Sequence, residues 1–486
     1  MKRGTVLTGL HISDIAYGGM GIAKIALEGK EVTSTKGGDF VVFVPNTIPG
    51  QEVVARIVKM KKRFAEAKLI RVEKRSPDEQ ELPYQRIPGA PFAAWPIEAQ
   101  QTHKKRSTIE MFKRVAEMPE VESIFDEFIA SPTTWGYRNK MEYSFSTLLS
   151  ELETGFETEG FALGFKRRGQ WWAVENLNAA SGLFDEVLEA NLHRIRAFCE
   201  ASGLPAWNPA KSSGFFRFLV VRKSFVADEL LFDLVTTSDD LEQFDRDGFV
   251  ALMQDILGDR LAGILHTIND ETGDSFKSPS DASKLLYGKD KIVERILGLD
   301  FEISMQSFFQ TNPASAEKLY RKAIDYVEEA LVIAGGTDLV AMDLFCGTGT
   351  IAQLLKTCPS IQKVIGVDIV PEAIADAKKN AQRNGIANID FYAADVRKFL
   401  LEYPQYKGKI GVVILDPPRA GIAPKALKAV IELGAPSIVY VSCNASTQAR
   451  DTLALKEGGY RLVKFSLVDQ FPHTSHIESI GFFVKD

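Results

Sequence analysis

The sequence predicts a multidomain α/β protein. Three observations predict it: short glycine-punctuated strands at the start, mixed strand and helix patterning in the middle, and regular helix–strand alternation from about residue 303 onward. At 486 residues the chain has room for about three domains of roughly 150 residues each. The expected divisions are an OB-like β-barrel over 1–75, a central α+β domain over 76–300, and a Rossmann-like doubly wound domain over 301–486.

Residues 1–75 carry strand-like segments such as GDFVVFVP and QEVVARIVKM, separated by turn signals at AYGGMG, KGGD and NTIPG. Strands this short suit a small closed barrel. Residues 76–100 hold five prolines and little periodicity, which reads as a linker or an irregular ordered segment. A helical pattern with basic faces runs from about Ile97 to Ala116, and the stretch 97–120 is one that can pack on the C-terminal domain. Between 131 and 300, strand-like MEYSFSTL, FFRFLVVRKS, ELLFDLVTT and AGILHTIND mix with helical stretches near 181–202 and 240–257. The C-terminal part predicts helices at 313–333, 349–357, 371–384 and 423–433, and strands at 339–345, 363–368, 389–393, 411–415 and 437–442. Such βαβ repetition builds a mostly parallel sheet.

Apolar residues at 45% and charged residues at 25% exclude a disordered or fibrous chain. The formal charge, 58 − 64 = −6, hides local asymmetry. Between Arg56 and Arg75, nine Lys/Arg face two Glu, a balance of 9 − 2 = +7. A second basic cluster comprises Lys104, Lys105, Arg106, Lys113 and Arg114. Partners must therefore be read from patches. Four scattered cysteines without a C-x-x-C pair exclude a disulfide framework and a cysteine-built metal site. The N-terminus MKRGTVLTGLHISD has no apolar core behind its basic residues, and no run approaches the roughly 18 apolar residues of a membrane helix. A cytoplasmic protein with no membrane partner is expected.

The segment LVAMDLFCGTGT, Leu339 to Thr350, runs an apolar strand into a glycine turn and a helix. Gly347 and Gly349 let the backbone approach a ligand closely. Asp368 ends the next strand in VIGVDIV, 368 − 343 = 25 residues after Asp343, where a carboxylate can accept hydrogen bonds from both hydroxyls of a ribose. Asp395 ends the strand after that, in YAADV. The turn is not the G-x-G-x-x-G dinucleotide fingerprint, and no phosphate-binding G-x-x-x-x-G-K-[ST] occurs. D-x-F-x-G-x-G resembles motif I of S-adenosyl-L-methionine-dependent methyltransferases, with Asp368 and Asp395 in the usual adenosine-binding places.

Two later strand ends carry reactive groups: LDPPRAG with Asp416 and Arg419, and VSCNAS with Cys443 and Asn444. Strand carboxyl ends face the ligand crevice of an open α/β sheet. FPHTSHIESI then presents His473, His476 and Glu478. One cysteine and one carboxylate beside a methyl donor suit methylation of pyrimidine carbon 5. A thiolate adding to carbon 6 makes carbon 5 nucleophilic, and a base must then remove the carbon-5 proton.

At this point the chain resembles the RNA (uracil-5-)-methyltransferases, particularly the bacterial 23S rRNA type, over essentially its whole length. HISDIAYGGMGIAK through PGQEVVARIVKMKKRFAEAKLI is similar to the family's TRAM domain, and MQSFFQTNP, DLFCGTGT, GVDIV, LDPPRAG, VSCN and FPHTSHIES follow in family order. The resemblance implies Cys443 as nucleophile and Glu478 as proton-abstracting base, 478 − 443 = 35 residues apart, with Gln310, Phe345, Thr350, Asp368, Asp395 and Asp416 lining S-adenosyl-L-methionine. Thr350 stands where the family often has Asn. Most rRNA-type relatives also hold an iron–sulfur cluster on four cysteines. PYQRIPGAPFAAWPIEAQQ and WAVENLNAAS contain none, so no cluster is expected and Phe92 and Trp95 are expected to pack in its place.

The expected partner is RNA, rRNA before tRNA, acting on a monomeric enzyme. WGYRNKMEY (135–143) is the first expected RNA contact and the basic stretch 56–75 the second; FFRFLVVRK (215–223) and GFKRRGQWW (164–172) also interleave aromatic and basic residues. Other readings are weaker. An amino-group methyltransferase would carry an aromatic where Arg419 stands, a 5-methylcytosine enzyme needs a cysteine in a D-A-P-C-S-like segment, and a non-catalytic RNA-binding factor would not need Cys443 with Glu478.

Overall fold

The computed structural model describes residues 1–25, 40–151, 156–167, 170–273, 275, 282–335 and 338–486. The KGGD turn signal lies outside the described residues, as does the Arg168–Gly169 tip of GFKRRGQWW, with the side chains of Arg167, Gln170 and Trp171.

Strands β1 (Val6–Ile15), β2 (Met20–Ile25), β3 (Phe40–Pro45), β4 (Glu52–Met60) and β5 (Phe64–Lys74) close into a barrel in the order β1-β2-β3-β5-β4. Period-2 alternation sends Val53, Ala55 and Ile57 inward and leaves Arg56 and Lys68 exposed on β4 and β5, with Lys61 and Lys62 exposed in the turn between them. The basic stretch is thus the barrel's outer face.

Helix α1 (Ile97–Val115) buries Gln100, Lys104, Thr108, Met111 and Phe112, a stripe at three- and four-residue spacing. Its apolar end packs on the C-terminal sheet, where the Phe112 and Phe465 rings lie 4.4 Å apart. Strand β6 (Phe125–Ile129) follows.

The central sheet contains β7 (Lys140–Ser150), β8 (Glu157–Arg167) and β9 (Gln170–Asn176), then, after α2 (Glu186–Ala201), β10 (Phe216–Ser224) and β11 (Glu229–Thr236). Helix α3 (Arg246–Leu257) leads to β12 (Leu261–Ile268) and β13 (Ser283–Gly288). The order is β13-β12-β11-β10-β7-β8-β9. In FFRFLVVRK both arginines are buried: Arg217 donates to the Asn269 and Glu271 carbonyls, and Arg222 to those of Met305 and Ser307. That segment is therefore interior strand, its aromatics being core and its arginines buried and turned to backbone carbonyls.

A hairpin of β14 (Lys291–Ile296) and β15 (Leu299–Ser304) precedes α4 (Pro313–Ala334). Alternation then runs β16 (Leu339–Leu344), α5 (Thr350–Leu355), β17 (Ile361–Asp368), α6 (Pro371–Arg383), β18 (Ile389–Ala393), α7 (Val396–Glu402), β19 (Ile410–Leu415), α8 (Pro424–Leu433), β20 (Ser437–Ser442) and α9 (Ala445–Glu457). The chain closes on β21 (Tyr460–Val468) and β22 (Glu478–Lys485). The sheet order is β18-β17-β16-β19-β20-β22-β21-β6. Strands β16 to β20 are parallel, and β22 runs antiparallel to both its neighbours. Chain order reverses between β16 and β19, which opens a ligand crevice at the strand carboxyl ends. Strand β6, contributed from before the central sheet, pairs in parallel with β21. It makes the C-terminal sheet discontinuous in sequence.

Candidate active site

Sheet order alone sets the predicted site residues in a row. Asp395, Asp368, Phe345, Asp416 and Cys443 stand just past or at the carboxyl ends of β18, β17, β16, β19 and β20, and Glu478 opens the antiparallel β22. Ser442 pairs with Ser479 across β20 and β22, and Cys443 and Glu478 are the residues that directly follow and precede that last pair.

The glycine turn explains the cofactor side. Phe345 sits at φ 72° and its N–H donates to the Val367 carbonyl at 2.8 Å, turning the chain sharply off β16. A side chain at Gly349 would press to 2.8 Å from the Phe391 ring, so that glycine permits α5 to lie on β17 and β18. A side chain at Gly347 would meet nothing within 4 Å, so this face of the turn is open to a ligand. Asp368 accepts from Gly347 N–H and Val370 N–H, both at 2.9 Å, which fixes its carboxylate beside the turn. Asp395 caps α7 by accepting from Lys398 N–H at 3.0 Å. Thr350 is buried in the first turn of α5. Gln310 is buried before α4, its backbone carbonyl held by Asn139 Nδ2 at 3.0 Å and its Oε1 3.5 Å from Gln470 Nε2. An open glycine turn flanked by two strand-end carboxylates fits an adenosine-bearing cofactor.

Electrostatics concentrate at the reactive end. Burial pushes the Cys443 thiol up to about 11, with Glu478 and Asp416 adding to the shift and Arg419 opposing it. Burial and then the Asp416 charge push the Glu478 carboxyl up to about 8, again against Arg419. Desolvation raises Asp416 to about 7. Asp343 is fully buried, and its pKa is raised by burial and then by the Asp416 charge, against a backbone hydrogen bond from Ala352.

Tyr17 and Asp343 belong to this neighbourhood without having been expected there. Tyr17, in the barrel's AYGGMG turn, sets its hydroxyl 3.5 Å from Asn444 Oδ1, and burial raises its pKa to about 12 with Cys443 and Glu478 among its neighbours. Asn444 in turn caps α9 and donates to the Arg419 carbonyl at 3.0 Å. The only sequence signal for Tyr17 is a large aromatic inside a glycine-rich turn. In the cysteine-free stretch, Phe92 and Trp95 pack with Ile15 and Ile48 of the barrel region. Among the described residues no group of three or more His, Cys, Asp or Glu is arranged to hold a metal ion. In WGYRNKMEY, Tyr137, Met141 and Tyr143 are buried, and the half-buried Trp135 stacks on His473 with ring centroids 3.8 Å apart. These aromatics face protein rather than solvent.

A parallel sheet with this glycine turn and row of strand-end carboxylates defines an S-adenosyl-L-methionine-dependent methyltransferase. The chain belongs to the RNA (uracil-5-)-methyltransferase family. Residues 278–486 match the tRNA (Uracil-5-)-methyltransferase family model, and residues 4–70 match the TRAM domain. An uncharacterized RNA methyltransferase of Clostridium tetani is 36% identical over 97% of this chain and 96% of its own. Another from Caldanaerobacter subterraneus subsp. tengcongensis is 35% identical over the full length of both. The crystal structure of Pyrococcus abyssi tRNA (uracil-54, C5)-methyltransferase with S-adenosyl-L-homocysteine is similar over 98% of this chain and 99% of that one, with TM-score 0.70 and 25% identity. No described helix is long and apolar enough to cross a membrane.

Proposed function

We propose that this enzyme methylates carbon 5 of a uridine in 23S rRNA, with Cys443 as nucleophile and Glu478 as base. The observation that supports the reading is that Cys443 and Glu478 flank the last β20–β22 pair, Ser442 with Ser479, and that burial and then the Glu478 charge raise the Cys443 thiol. Cys443 as thiolate adds to carbon 6 of the uracil. The sulfur–carbon bond forms and the C5=C6 electron pair moves into an enolate. Bound S-adenosyl-L-methionine supplies a methyl group on a sulfonium cation, whose charge favours the anionic forms of Cys443 and Glu478. Carbon 5 takes the methyl group, and the broken carbon–sulfur bond leaves its pair on the donor sulfur. Glu478 then takes the carbon-5 proton; the pair left behind restores C5=C6 and expels the Cys443 thiolate. Gln310, Phe345, Thr350, Asp368, Asp395 and Asp416 would hold the cofactor. The target base must leave its stack to reach Cys443. Phe308, 70% exposed two residues before Gln310, offers an aromatic face near that mouth.

One observation favours a tRNA substrate instead: the likeness to the archaeal tRNA enzyme extends over the whole chain, barrel included. Mass mapping of 5-methyluridine in rRNA and tRNA from cells lacking the gene separates the two. Loss of one 23S rRNA site supports the proposal, loss of a tRNA site redirects it to tRNA, and no loss in either overturns it.

A further inference from the structure

Glu478 is reached through residues 469–477, a long connection between β21 and β22. Pairing with Val468 fixes where β22 begins, but not the path of the loop leading into it. That path is held by side chains from distant parts of the chain. From α1, the Lys104 ammonium donates to Asp469 Oδ1 at 2.6 Å and to the Phe471 carbonyl at 2.9 Å. The two charged side chains are 1% and 0% exposed. One turn earlier, Gln100 Oε1 accepts from His473 N–H at 2.9 Å, and its Nε2 lies 3.2 Å from His473 Nδ1. The same Nε2 donates to the Phe92 and Trp95 carbonyls, while Phe92 N–H donates to the His473 carbonyl at 3.0 Å. Trp135 covers the His473 ring, and Tyr137 Oη donates to the Pro472 carbonyl at 2.9 Å.

His473 is held at φ 65°, a left-handed conformation that costs a non-glycine residue and survives where its surroundings over-determine it. Burial pushes its pKa down to about 4, so its ring is neutral at ordinary pH. The ring is wedged between Gln100 and Trp135. Lys104, part of the basic cluster that the sequence predicts, is buried and unavailable to RNA.

We propose that Gln100 and Lys104 are positioning residues for the proton-removal step: through the 469–477 loop they set the direction from which the Glu478 carboxyl meets a base bound at Cys443. This rests on the reading of Glu478 as base. A loop held slightly wrongly would still allow Cys443 to add and the methyl group to transfer, but the carbon-5 proton would leave slowly. The covalent RNA–enzyme species should therefore accumulate.

The test uses the full-length enzyme with S-adenosyl-L-methionine and the RNA that it methylates. Gln100→Leu, Lys104→Met and the charge-neutral double variant Lys104→Met/Asp469→Asn are compared with Glu478→Gln by kcat, KM and denaturation-resistant adduct. The double variant removes the Asp469 charge that Lys104→Met leaves unpaired and that destabilises that single variant. The expected result is a kcat lowered about tenfold to a hundredfold, the scale of a small misplacement. kcat/KM for both substrates stays within about twofold, because the steps up to methyl transfer are untouched, so KM falls along with kcat, and adduct accumulates in all three variants. Adduct in Glu478→Gln but in none of the α1 variants overturns this proposal alone. No adduct in Glu478→Gln overturns the base assignment and this proposal with it.

Discussion

Glu189 of the central domain and Glu478 of the C-terminal sheet are both buried glutamates whose pKa is raised by desolvation, to about 7 and about 8. Their surroundings are opposite. Glu189 accepts from Ser181 N–H at 2.7 Å, from the Ser181 hydroxyl at 2.8 Å and from Tyr143 Oη at 3.1 Å. Glu478 faces a like-charged carboxyl at Asp416 and the Arg419 charge, with no hydrogen bond contributing to its shift. A buried carboxyl that is fully bonded ties its surroundings together. One left without donors beside a second acid is poised to exchange a proton. Burial alone does not separate these two glutamates; the second acid beside Glu478 does.

The comparison is sharpest under amide substitution. Glu478→Gln should cut turnover by about 10²- to 10⁴-fold, the scale of a general base, while its thermal midpoint stays level or rises because a desolvated acid has been removed. Glu189→Gln should do the reverse, lowering stability by about 1–3 kcal/mol through unpaired buried groups, with the folded fraction turning over normally. Equal loss of activity in both would break the contrast.

Titration gives the next effect. Activity should rise with pH through about 8 as Glu478 deprotonates and continue to rise as the Cys443 thiol, raised to about 11, ionises. The sign for stability is opposite. The neutral form favours the fold, so this contribution is complete below the unfolded pKa of about 4.3 and is lost as pH climbs through the folded value. Asp416→Asn removes the like charge and should move the activity limb to lower pH, as a pH–rate profile would register. An unmoved limb would separate the two carboxylates.

The smallest effect concerns the barrel's docking. A side chain at Gly19 would come within 2.7 Å of the Ser475 side chain, at a φ of 90°. Gly19→Ala should destabilise by about 1–3 kcal/mol, read as a lowered denaturation midpoint. A neutral substitution would mean that the turn does not bear on the loop before Glu478.

What was legible in the sequence follows the range of the interactions. The helix periods and apolar strands of the C-terminal part fall close to their expected spans, because period and turn chemistry are local. Strand-end acids were legible for the same reason: Asp368 and Asp395 end apolar runs. Strand β6 was not, because its sheet partner among the described residues is β21, more than 300 residues later. Periodicity showed that α1 buries one face, but a KKR run gave no hint that Lys104 turns inward to Asp469 while Arg106 turns outward to Asp14. Tyr17 was hidden likewise, since its partner Asn444 is 427 positions away.

The most direct measurement is mass mapping of the complex trapped by Glu478→Gln with its RNA and S-adenosyl-L-methionine. The account predicts a peptide carrying methylated uridine on the sulfur of Cys443. An adduct on Cys199, Cys346 or Cys358, or methyl transfer at the wild-type rate by Cys443→Ala, would contradict it.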